Sequence, residues 1–248
     1  MKINNCISQI VFANISNTHN INTTLTAPIK TVRIFTFKIH FMDISLIVII
    51  ALNCLVSFKG FNDLSFFRKY EFHVGSIRAG EQIRMFTSAF LHVDPVHLAF
   101  NMLTLYLFAP YVITNLGVLP FIIIYLGSLI FGNLLTMLFH KDDYSYRAVG
   151  ASGAVIGIVY AGILLEPDLE IYFMPGYIFG IIYLLYSIYG MRAKADNIGH
   201  TAHFGGAIGG YLITISQVPE LITENTFAVV LLAVPIIILF VMAKLGKL

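Results

Sequence analysis

The segment GASGAVIG, Gly150–Gly157, sets one serine among glycines where an apolar helix begins, shortly after the polar stretch KDDYSYR, Lys141–Arg147. The start of a helix presents backbone N–H groups that have no partner within the helix, so it favours any anion that develops beside it. Ser152 has two readings at this point. It is a common type of capping residue, and it is a hydroxyl held where developing negative charge would be stabilised.

The surroundings of that helix are those of a membrane. The chain has 248 residues, 58% hydrophobic and 11% charged, with a mean hydropathy of +0.82. A soluble domain is roughly 45–50% apolar and about 25% charged. In hydrocarbon every backbone polar group must be paired internally, so spans are helices or closed barrels. Runs such as FIIIYLGSLIFGNLLTMLF, Phe121–Phe139, are apolar at both odd and even positions, which excludes the alternation of a barrel strand. The expected fold is therefore all-α, a polytopic transmembrane helical bundle. A net charge of +2, with basic residues spread along the chain, gives no reason to expect a nucleic-acid partner. Cys6 and Cys54 lie in different environments and form no metal or redox spacing.

Taken in order, residues 1–40 are a polar tail rich in Asn and Thr that lacks the pattern of a secretory signal. Residues 41–216 hold six expected spans: Phe41–Phe58, Pro95–Asn115, Val118–Phe139, Ala151–Leu165, Phe173–Tyr189 and His200–Ile215. Residues 217–248 add a linker and a seventh span, Phe227–Val241, which carries no polar residue and is read as packing or topology. The connection from Lys59 to Gln82 interleaves aromatic and basic side chains, a mixture suited to the membrane interface; an ordinary wet loop is the plainer alternative. The second and third spans are separated by so few residues that they form a hairpin. At about 1.5 Å per residue the fourth covers roughly 22 Å of a roughly 30 Å hydrocarbon layer, so Ser152 sits below the surface.

The polar residues gather at one end. His97 and Asn101 are four apart and share a side of the second span, His92 precedes it, and His200 and His203 open the sixth. Ionisable groups at such depth usually face the bundle interior. Gly153, Gly157 and Ala161 recur at intervals of four beside Ser152, as Gly206 and Gly210 do beside His203. Opposed small-residue faces let helices approach closely. They would bring Ser152 and His203 within about 3 Å, the reach that nucleophilic catalysis needs. The same glycines are also compatible with helix packing and no chemistry. A zinc site built from His92, His97 and His203 would need suitably bent loops, lacks an HExxH pair and leaves the glycine-flanked serine unexplained. No metal and no organic cofactor is expected.

Three stretches together, FLHVDPVHLAFNM (Phe90–Met102), GASG (Gly150–Gly153) and AHFGGAIGG (Ala202–Gly210), resemble the rhomboid family of intramembrane serine proteases. The resemblance covers about Met42 to Ser216 and implies a six-helix core with the seventh span added. It implies Ser152 as nucleophile and His203 as general base, with His97, Asn101 and the Ser152 N–H as the oxyanion hole. It also implies transmembrane protein substrates entering from the lipid bilayer and an integral multi-pass protein of the bacterial inner membrane. Oligomeric state is left open. A non-proteolytic helix-binding relative would have lost Ser152 or His203, and both are present. A transporter would show an inverted repeat, and none is evident.

Three positions depart from the family pattern. Ile83-Arg84 stands where Trp-Arg is common, leaving Arg84 to anchor the loop at headgroups or to pair with loop oxygens. Ile156 replaces an aromatic ring that stacks on the catalytic histidine, so His203 is expected to be held by apolar packing alone. His200 replaces an asparagine. Orientation is contested too: the resemblance puts the N-terminus in the cytoplasm, whereas four Lys/Arg precede the first span and eleven lie on the catalytic-loop side, a bias of the opposite sign.

Overall fold

The computed structural model describes residues 43–171, 173–193 and 199–247. The polar tail, residues 1–40, and Cys6 lie outside them. The described chain is a membrane-associated bundle of helices: α1 (Ile44–Asn62), α2 (Pro95–Leu116), α3 (Val118–Phe139), α4 (Ser152–Leu165), α5 (Gly176–Ala193), α6 (His200–Gln217) and α7 (Thr226–Lys244). Of these, α1, α2, α3 and α7 are long and apolar enough to cross a membrane, while α4 is apolar but only 14 residues long.

Sequence punctuation sets the boundaries. Asp43 caps α1, accepting from the Ser45 N–H at 2.8 Å. Asp94 caps α2 by accepting from the His97 N–H at 2.7 Å, and Pro95 takes the first helical position, where its missing N–H costs nothing. Gly117, at φ 89°, turns the chain from α2 into α3. Two boundaries differ from expectation. The first helix starts at Ile44, not Phe41, and continues to Asn62 because Asp63 both ends it and caps the short helix Leu64–Tyr70. The fifth starts at Gly176, not Phe173. Glu170–Ile171 and Met174–Pro175 pair as a small hairpin, and Phe173 lies at its tip with φ 64°, fully exposed.

At the centre lies α4, buried without interruption from Gly153 to Leu164. Helix α6 packs against both α3 and α4, and its paired glycines serve the two neighbours separately. A Cβ at Gly206 would overlap Gly153 O and one at Gly210 would overlap Gly157 O, both on α4. A Cβ at Gly205 would meet Phe131 O at 2.5 Å, and one at Gly209 the Ser128 Cα at 2.9 Å, both on α3. The Gly206–Gly210 face expected against α4 is thus present. The second face, Gly205–Gly209, was not anticipated.

The long first connection is a folded unit. Its strand Phe72–His73 pairs antiparallel with Arg147–Ala148, Phe72 opposite Ala148, and so ties the loop to the approach to Ser152. Buried Glu71 accepts from Arg147 and from Arg68. Of its two expected roles, Arg84 takes the second. Its buried guanidinium donates to Arg68 O at 2.7 Å, Glu71 O at 3.1 Å and Glu81 Oε2 at 2.6 Å, leaving Ile83 exposed beside it.

Candidate active site

Ser152 is the first residue of α4, and its position depends on the two residues before it. Gly150 has φ 128°, a conformation that a residue with a Cβ rarely adopts, and a Cβ there would also crowd His97 Cε1 at 2.8 Å and Nε2 at 3.1 Å. The same point is 3.8 Å from Ser152 Oγ, so the His97 ring and the serine hydroxyl flank one small space. The Gly150 N–H donates to Ser88 O at 3.0 Å, and Ala151 is fully buried, its N–H donating to His92 Nε2 at 3.4 Å.

That last bond fixes the state of His92. Ser57 Oγ has one proton, which it donates to Phe90 O at 2.9 Å. Its contact of 2.8 Å with His92 Nδ1 therefore has Nδ1–H as donor, leaving Nε2 as the acceptor for Ala151. Burial, reinforced by the nearby His97, lowers the His92 pKa to about 3, so the ring is neutral. With both nitrogens engaged, His92 is a brace between α1 and the serine loop. It supplies no ligand to the zinc set considered above, and no group of three or more His, Cys, Asp or Glu gathers to hold a metal among the described residues.

His203 lies in the first turn of α6, and its Nε2 is 2.7 Å from Ser152 Oγ. Its other nitrogen, Nδ1, is 2.8 Å from the hydroxyl of Tyr183 on α5, and the two rings are 5.9 Å apart at 33°. His203 is thus not held by apolar packing alone, because a polar side chain from the next helix reaches it. Ile156 instead belongs to the apolar cluster with Phe204 and Leu184. His200 is buried against Gly190, where a Cβ would overlap its imidazole, and its ring lies 6.3 Å from that of His203.

The remaining pair lies on α2. The His97 ring packs edge-on to His92 at 5.0 Å, and its buried Nδ1 has no hydrogen-bond partner among the described residues. Asn101, one turn further along the same face, is also buried, and its Nδ2 likewise has no hydrogen-bond partner among the described residues. Buried polar atoms without a partner are expensive, and one of the two belongs to the ring that flanks Ser152 Oγ across a small space.

A helical membrane bundle holding a hydrogen-bonded serine and histidine at the mouth of a short buried helix defines the class. The chain belongs to the rhomboid domain family, whose model matches residues 79–220. Among its relatives is YdcA of Bacillus subtilis (strain 168), a rhomboid-named protein, 35% identical over 137 residues that cover 54% of this chain and 67% of YdcA. RHOMBOID-like protein 12, mitochondrial, of Arabidopsis thaliana is 26% identical over 181 residues, 65% of this chain and 54% of that protein. Rhomboid protease GluP of Bacillus subtilis (strain 168) is 32% identical over 135 residues, 54% of this chain and 26% of GluP. The chain therefore spans from about two thirds to about a quarter of the length of these relatives. Membership supports rhomboid-type intramembrane proteolysis as the class of activity.

Tyr183, Ser57 and the bracing role of His92 were missed in the sequence. Only the spacing of polar residues within apolar helices was available as a signal, and four tyrosines in α5 share it.

Proposed function

We propose that this protein is an intramembrane serine endopeptidase that cleaves transmembrane segments of membrane-anchored proteins with Ser152 and His203 as a dyad. Its body is read as a six-span core, about residues 41–216, followed by a seventh span. The observation that carries the reading is the 2.7 Å contact between Ser152 Oγ and His203 Nε2, formed at the start of a helix of 14 residues. At about 1.5 Å per residue that helix is shorter than a hydrocarbon layer of roughly 30 Å, so the reaction takes place below the membrane surface.

His203 Nε2 removes the Ser152 proton as Oγ attacks the scissile carbonyl, then returns it to the leaving amine. Negative charge on the carbonyl oxygen is met by the His97 ring, the Asn101 amide and the Ser152 N–H. Each well-placed donor of this kind is worth about 3–4 kcal/mol. Water then resolves the acyl-enzyme. A substrate helix must unwind to present an extended bond, which favours cleavage near Gly or Ser, both poor at continuing a helix.

The test is cleavage of a helical transmembrane substrate by purified protein, together with labelling by a fluorophosphonate. Ser152→Ala is expected to abolish both while its unfolding midpoint is unchanged, and His203→Ala to abolish labelling of Ser152. Undiminished cleavage by Ser152→Ala would remove the serine from its role.

A further inference from the structure

We propose that Tyr183 is the positioning residue that fixes which nitrogen of His203 faces Ser152. The inference rests on the dyad reading above and extends it to a third group on a different helix. A neutral imidazole has one N–H and one lone pair. To take a proton from Ser152 at Nε2, His203 must carry its own proton on Nδ1. The atom that Nδ1 faces is Tyr183 Oη, 2.8 Å away.

The phenol oxygen at Nδ1 stands where a carboxylate stands in a serine–histidine–aspartate triad. There the third group holds the tautomer and ring orientation and stabilises the imidazolium. Tyr183 accepts Nδ1–H in the resting state and goes on accepting it when Nε2 gains the serine proton. Its own proton stays on the phenol throughout. Ile156 on α4 offers no acceptor and cannot substitute.

The tyrosine is held well enough to direct a ring. Three residues earlier on α5, Gly180 O accepts from Tyr160 Oη at 2.6 Å, which ties α5 to α4. Gly180 also receives Leu232 of α7, whose Cδ2 lies 2.7 Å from where a Cβ would stand, with Tyr160 Oη 3.3 Å from the same point. The Tyr183 ring stacks on Phe179, 6.0 Å apart at 26°, and the Tyr183 carbonyl accepts from Ser187 Oγ at 3.0 Å. Held at Gly180 by both α4 and α7, α5 presents the hydroxyl at a set height beside α6.

The experiment compares wild type, Tyr183→Phe and Ser152→Ala as purified full-length protein in detergent. It measures kcat and KM on a helical transmembrane substrate and the 15N spectrum of the His203 ring. Tyr183→Phe is expected to keep its unfolding midpoint and its KM and to lose kcat by roughly 10- to 100-fold, less than a lost carboxylate orienter costs because the acceptor is neutral. The wild-type spectrum is expected to place the proton on Nδ1, and that of Tyr183→Phe to show both tautomers. Unchanged kcat in Tyr183→Phe, or a wild-type ring protonated on Nε2, would overturn the positioning role while an inactive Ser152→Ala leaves the dyad standing. An active Ser152→Ala would remove both. Should Tyr183→Phe fail to fold, difluorotyrosine at position 183 keeps the hydroxyl but makes it a poorer acceptor. A partial fall in kcat supports the role and an unchanged kcat overturns it.

Discussion

His92 is not one of the pair Ser152 and His203, yet the serine loop depends on it. It accepts the N–H of Ala151, the residue immediately before Ser152, and donates to Ser57 on α1. Replacing it with Phe keeps an aromatic ring but leaves the buried Ala151 N–H without a partner, at about 1–3 kcal/mol. The effect also has a pH signature. In the fold His92 is lowered to about 3 by burial first and by His97 second, whereas unfolded it titrates near its ordinary 6.5. A depressed value means that the neutral form is favoured in the fold. The contribution is therefore complete above about pH 6.5 and is lost as pH falls toward 3, at up to about 1.4 kcal/mol per unit. The stability difference between wild type and His92→Phe should shrink by about 2 kcal/mol between pH 7 and pH 5, measured by equilibrium unfolding in detergent at each pH. A constant difference would mean that His92 is not held neutral. At this scale Ser152, His203, His97 and Asn101 were legible because such side chains are rare in apolar helices and their spacing placed them at one end. Tyr183 was not: the chain has thirteen tyrosines, a tyrosine is at home in a membrane helix, and its partner His203 lies on another helix. The use of His92 required Ser57, 35 residues away, which no local pattern announces.

Helix α6 brings the dyad together because two of its faces lack side chains. Gly206 meets Gly153 O, one residue past Ser152, three residues after His203. In Gly206→Ala the added methyl must push α4 and α6 apart where the 2.7 Å contact forms. Overpacking of this kind costs about 1–3 kcal/mol, and the separation should cost activity as well. Gly205→Ala meets α3 instead, at Phe131 O, and should destabilise comparably while keeping more of the fluorophosphonate reactivity of Ser152. Equal loss of labelling in both variants would mean that reactivity follows stability rather than the α4–α6 distance. Helix ends with a physical stop signal were readable, as at Asp94-Pro95, Gly117 and Gly150. The start of α5 was not, because residues 173–175 are apolar enough to pass for the start of a span, and only the pairing of Met174–Pro175 with Glu170–Ile171 excludes them from it. The second glycine face of α6 was hidden for a related reason. A stripe of small residues says that something comes close, and a doubled stripe says so twice without naming the neighbours.

Across the whole bundle, burial falls from the centre outward. Helix α4 is buried along its length, whereas α1 fully buries only Leu46, Asn53, Ser57 and Gly60, with Ile49, Ile50, Cys54 and Phe61 half-buried against the core. Lipid tails are as apolar as leucine, so the outer helices are not driven together by the hydrophobic effect and rely on close packing and hydrogen bonds. For α7 these contacts can be named: Leu232 on Gly180, Phe227 edge-on to Tyr177 at 5.3 Å, and Val229 O accepting from Tyr211 at 3.0 Å. Two of the three fall on α5, the helix that presents Tyr183. The seventh helix, read from sequence as packing or topology, is on this structure a support for α5. Leu232→Ala empties the seat on Gly180 and should cost about 1–3 kcal/mol, less than in a soluble core because only packing is lost. Ile237→Ala removes a comparable side chain that is 59% exposed and should leave stability unchanged. If α7 steadies α5, Leu232→Ala should also lower kcat on a transmembrane substrate, because Tyr183 lies one turn beyond Gly180, whereas Ile237→Ala should not. Unfolding midpoints and kcat that move alike in both variants would reduce α7 to an extra span with no bearing on the site.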